Sequence, residues 1–166
     1  MKIHDDHLYH GSALIQIAEH PSFTAINSLK IGSKIVRVAY RINDDIAVYL
    51  KYASKPTGRF KEYIFTFTQD HRAELSEIAE ATAKLFVALV CVKDREICVV
   101  PYSELKSLFE KREINHGGPE DALTVLVTAP AGKSLRLYMN ASGKKKTMLT
   151  KEMVISRSAF PGEVFG

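Results

Sequence analysis

The chain has 166 residues, 46% of them hydrophobic and 25% charged, which is an ordinary composition for one globular domain with a real core. No run of 18 apolar residues occurs, and Met1-Lys2-Ile3-His4-Asp5-Asp6 is neither a signal-peptide stretch nor an Arg-rich transit segment, so a soluble, cytoplasmic protein is expected. The net charge of +4 is uneven: residues 1–80 hold ten cations and ten acids, whereas residues 81–166 hold thirteen and nine.

A first helix is predicted at about 8–20, where Leu14, Ile17 and Ala18 share a face and Pro21 stops propagation. Three strand-like runs follow at 34–42, 46–53 and 62–68. The clearest helix spans 70–84, with Asp70 as its cap and Leu75, Ile78, Ala79, Thr82 and Phe86 at helical spacing. Next comes an apolar hairpin, 85–92 and 97–100. If Asp94-Arg95 form its turn, Cys91 faces Cys98; both lie among Val, Leu and Ile and are expected reduced and buried. A short helix begins at Ser103 and buries Leu105, Leu108 and Phe109. The Gly-Gly-Pro stretch 117–119 then leads to a second hairpin, 122–129 and 134–139, and to a strand near 147–156. The expectation is a single α+β domain: an antiparallel three-stranded meander plus helix and further hairpins, with the core at about 8–112 and a C-terminal hairpin and basic segment at 122–166.

Register follows from the apolar positions, because a one-residue slip would exchange the faces of a strand. Ile42 opposite Ile46, across Asn43-Asp44-Asp45, sets Tyr40 against Val48. Continuing the meander sets Leu50 against Tyr63, Val48 against Phe65 and Ile46 against Phe67. The reverse face then carries a charged row of Arg37, Lys51 and Glu62, with neighbouring strands roughly 5 Å apart.

A helix, a three-stranded meander, a helix and a further strand, over about residues 8–93, resemble the αβββαβ core of the PD-(D/E)XK restriction-endonuclease-like superfamily. That resemblance implies an Asp at the start of the second core strand and a Glu-x-Lys pair on the third, which together hold a divalent metal for phosphodiester hydrolysis. Asp45 and Glu62 stand at the corresponding places. The position two after Glu62 is Ile64, so the third-strand lysine is missing, and Lys51 is the candidate to replace it. Asp45 lies six residues from Lys51, about 20 Å along a strand, so Asp45 and Glu62 share no metal in this register.

Other motifs are weaker. Ala131-Gly132-Lys133-Ser134 lacks the first glycine and the following helix of a P-loop. His4, His7 and His10 recur every three residues; such a stripe can bind nickel or zinc, but near a chain end it reads as surface histidines. His71 beside Asp70 reads as structural. The turn Lys55–Lys61, with Arg59, Phe60 and Lys61, and the run Lys144, Lys145 and Lys146 are the candidate contacts for nucleic-acid phosphates, together with Arg37. The reading is a nucleic-acid-associated protein, partnered by DNA or RNA, with a degenerate nuclease-like core and no cofactor. One alternative is a Mg²⁺-dependent nuclease using Glu62 and Lys51. The other is an interaction module that pairs with a protein partner or a second copy through a strand edge.

Overall fold

The computed structural model describes residues 1–143 and 147–166. Among the described residues thirteen elements follow in order: α1 Asp5–Ala18, β1 Ile26–Ile31, β2 Lys34–Ile42, β3 Ile46–Ala53, β4 Tyr63–Thr68, α2 Gln69–Ala81, β5 Lys84–Cys91, β6 Glu96–Pro101, α3 Tyr102–His116, β7 Ala122–Thr128, β8 Leu135–Tyr138, β9 Met153–Ile155 and α4 Gly162–Phe165. The strands form two sheets, ordered β1-β2-β3-β5-β6 and β4-β7-β8-β9. The fold is α+β, and a three-stranded antiparallel meander is present as β1-β2-β3.

The β2–β3 hairpin has the expected register, with Ile42 opposite Ile46 and Tyr40 opposite Val48. The next step differs. β3 pairs in parallel with β5, Val48 opposite Phe86 and Leu50 opposite Ala88, while β4 leaves this sheet and pairs with β7. The sequence of β3 and β5 supplies the reason. Ile46 to Leu50 and Leu85 to Cys91 are buried without interruption, the pattern of central strands covered on both faces rather than of a meander with one wet side. Parallel neighbours need a long crossover, and here it contains both β4 and α2.

Alternation along β3 therefore feeds two cores. Ile46, Val48 and Leu50 pack with Ala13 and Ile17 of α1 and with Phe160 and Val164. Ala47 and Tyr49 join the larger core, shared by both sheets, α2 and α3, in which Tyr63, Phe65, Phe67, Val125 and Leu137 are buried. Val48 and Phe65 thus belong to different cores instead of facing each other.

Smaller departures have local causes. α2 starts one residue early because Thr68, not Asp70, caps it: its side chain accepts the His71 N–H. It ends at Ala81, and Phe86 belongs to β5. The β5–β6 turn spans 92–95, closed by Arg95 N–H to the Val92 carbonyl, which sets Cys98 opposite Leu89 and Cys91 opposite Glu96. Both cysteines are nevertheless free and buried. The strand expected near 147–156 is confined to β9, after an isolated bridge between Asn140 and Met148. Among the described residues no helix is long and apolar enough to cross a membrane.

Candidate functional site

Two irregularities in the first sheet coincide. Opposite β1, Ser28 faces Tyr40 but Leu29 faces Val36, so Arg37, Val38 and Ala39 of β2 form a bulge with no counterpart on β1. On the other side, β2–β3 pairing stops at Ala39 opposite Tyr49, while β3 continues to Ala53 paired with β5. A wedge opens between the two strands at this point. It forms a cavity of about 350 Å³ that α2 covers from the side, and Lys34, Arg37, Tyr49, Lys51, His71 and Glu74 line it.

Each position follows from local geometry. Tyr49 and Lys51 are two apart on β3 and share a face; His71 and Glu74 are three apart on α2 and share a face. The Tyr49 hydroxyl donates to Glu74 Oε1 at 3.1 Å, and Lys34 Nζ lies 3.7 Å from Glu74 Oε2. Burial, reinforced by Glu74, raises the Tyr49 pKa, so the phenol stays protonated. Lys51 Nζ lies 3.3 Å from His71 Nδ1 and 4.9 Å from the centre of the Phe67 ring. Burial lowers the Lys51 pKa, with Glu74 opposing. The His71 pKa is lowered too, first by burial and then by Lys51. Its Nδ1 also accepts the Thr68 N–H at 3.2 Å, which leaves the ring hydrogen of the neutral form on Nε2. Arg37 is exposed and makes no hydrogen bond or ion pair among the described residues.

Of the residues singled out in the sequence, Arg37 and Lys51 are brought together here. Glu62 is not with them. It sits in a separate cavity of about 630 Å³ with Phe60, Lys61 and Tyr138, and its carboxylate accepts the Tyr138 hydroxyl. The expected row of Arg37, Lys51 and Glu62 fails because β4, which follows Glu62, belongs to the other sheet. Arg59 and Lys61 are exposed on a tight turn closed by paired backbone bonds between Thr57 and Glu62. Lys144, Lys145 and Lys146 lie outside the described residues.

Lys34, Tyr49, His71 and Glu74 join the site unforeseen. The i, i+2 and i, i+3 spacings were legible, but which strand α2 covers depends on the crossover. The histidine stripe also differs from its surface reading. His10 is buried, its Nε2 has no hydrogen-bond partner among the described residues, and burial lowers its pKa. With His4, His7 and Asp6 it lines a third cavity of about 680 Å³, which shares Ile35 and Arg37 with the wedge. Among the described residues no group of three His, Cys, Asp or Glu side chains is placed to hold a metal ion. No family model, curated protein or solved structure matches the chain.

Proposed function

We propose that the chain binds the phosphates of a nucleic acid in the wedge between β2 and β3. The convergence of Lys34, Arg37 and Lys51 on one cavity carries this reading, because Glu74 is the sole carboxylate lining it and is already engaged by Tyr49 and Lys34. Half-buried Lys51 and exposed Lys34 beside the Arg37 guanidinium suit a phosphate, which accepts a bidentate Arg fork. Arg59 and Lys61 on their exposed turn would add contacts along the backbone.

If β1-β2-β3 is taken as the meander of a PD-(D/E)XK-like core, Tyr49-Leu50-Lys51 falls at the third-strand position of Glu-x-Lys, with the lysine kept and tyrosine in place of the carboxylate. β2 contains no acidic residue. Mg²⁺ prefers several oxygen ligands, and Glu74 alone does not fit it. The reading is therefore phosphate recognition on a nuclease-like core without its metal chemistry.

Titration of labelled single- and double-stranded DNA and RNA at several salt concentrations tests it. Affinity should fall steeply with salt, and Arg37→Ala should flatten the slope by about 0.9 on duplex DNA, the value for one phosphate contact. Affinity indifferent to salt, or unchanged in Arg37→Ala, overturns it. Plasmid incubated with magnesium should stay intact; cleavage abolished by Glu62→Gln would establish the nuclease alternative of Glu62 and Lys51, and cleavage abolished by Glu74→Gln would establish metal-dependent cleavage in the wedge instead.

A further inference from the structure

A half-buried lysine ordinarily pairs with a carboxylate. Lys51 makes no ion pair among the described residues: Glu74, the carboxylate in the same cavity, is held by Tyr49 and Lys34, and the Lys51 amine instead faces the imidazole of His71 at 3.3 Å. Neutral His71 presents Nδ1 as an acceptor to both the Thr68 N–H and the Lys51 amine, so the imidazole is placed to take a proton from Lys51. Arg37, with its free fork, lines the same cavity, whose volume of about 350 Å³ falls in the range of small-ligand sites.

We propose that Lys51 is a nucleophilic amine that forms a Schiff base with the aldehyde of a phosphorylated sugar held in the wedge. The proposal rests on the phosphate-binding reading of this cavity and adds the group that reacts. The sugar is either an abasic residue within a nucleic-acid strand or a free aldose phosphate; both present an aldehyde within reach of a phosphate.

The step balances as follows. The Lys51 ammonium gives one proton to His71 Nδ1, and the freed lone pair attacks the carbonyl carbon. As the C–N bond forms, the C=O π pair moves to oxygen, which takes a proton from the nitrogen to give a carbinolamine. The hydroxyl then leaves as water, carrying the proton returned by His71, while the nitrogen lone pair closes the C=N bond. The product is an iminium cation, so the Phe67 ring, 4.9 Å from the amine, stabilises it as it stabilises the ammonium. Burial, which keeps Lys51 below the usual lysine range, increases the fraction of free amine at neutral pH. Lys34, by contrast, is exposed and pairs with Glu74.

Borohydride trapping tests the proposal on the intact wild-type protein. The reagent reduces an iminium to a stable secondary amine, and peptide mass mapping then locates the adduct. Two arms are run, one with an oligonucleotide containing an abasic site and one with ribose 5-phosphate. A borohydride-dependent adduct on the Lys51 peptide in either arm supports the amine chemistry. An adduct with the oligonucleotide supports the nucleic-acid source, and an adduct with ribose 5-phosphate alone supports the free sugar and removes the nucleic-acid reading. No adduct in either arm, or adducts spread over surface lysines, overturns the proposal while leaving salt-dependent binding as a separate result. Lys51→Arg keeps a positive charge in the cavity but has no primary amine, and should form no adduct at this position. His71→Gln should slow trapping by on the order of a hundredfold, the low end for a positioned proton acceptor. An unchanged trapping rate in His71→Gln would remove that role from the imidazole.

Discussion

Glu120 has two basic side chains beside it, Arg112 and His116. Arg112 forks onto it at 2.8 and 2.9 Å, and His116 lies 3.5 Å away. The Arg112 hydrogen bonds come first among the causes that hold its pKa below the usual carboxylate range. A group whose folded pKa is depressed contributes stability above its unfolded value, and that contribution is lost as pH falls through and below about 4.3. Glu120→Gln should therefore destabilise the protein at pH 7 by about 1.5–3 kcal/mol, the range for a hydrogen bond to a charged group, and the difference from the parent should shrink at acid pH. Urea unfolding at pH 7 and pH 3.5 measures both. The cysteines obey a similar logic: burial pushes the Cys91 thiol up to about 12 and Cys98 well above its ordinary value. A thiol reagent at pH 8 should leave both untouched in the native protein and label both in urea. At this scale the sequence disclosed chemistry but not company. That Arg37 and Lys51 share a face followed from the β2–β3 register, whereas Glu62 was placed beside them only by assuming that the next strand continued the same sheet.

At the scale of elements, α2 shows how one cap serves both stability and the site. The Thr68 side chain accepts the His71 N–H and the His71 ring accepts the Thr68 N–H, a reciprocal pair that also turns the imidazole toward Lys51. Thr68→Ala should cost about 1 kcal/mol by thermal or urea unfolding. Thr68→Ser, which keeps the hydroxyl, should restore most of it, and an equal loss in both variants would show that the methyl group and not the cap matters. Helices and hairpins were readable because their signals are local: periodicity, caps and turns. The destination of β4 was not, since its alternating YIFTFT pattern satisfies either sheet, and only pairing with β7 selects one.

For the whole molecule, the two cores predict unequal responses to truncation. Phe65 is buried in the core shared by both sheets, so Phe65→Ala should destabilise by about 3–5 kcal/mol. Val154, on β9, is 61% exposed, and Val154→Ala should change stability by no more than about 0.5 kcal/mol. Denaturant midpoints for the pair check the placement of β4 and β9 together. The fold class was legible because long apolar runs, one strong helix and two hairpins leave few other assemblies. The second core beneath α1 was not, because the outward positions of β3 look the same whether water or a helix covers them.

The parallel seam between β3 and β5 has a kinetic consequence. Its partners are separated by the whole crossover, so chain entropy must be surrendered before the seam returns any binding free energy, and contacts of that kind form slowly. Lys51 emerges in the first third of the chain yet acquires its pocket only after α2, which lies within that crossover, has docked. During synthesis the amine is an ordinary exposed lysine, and the burial that lowers its pKa arises only once this late step is complete.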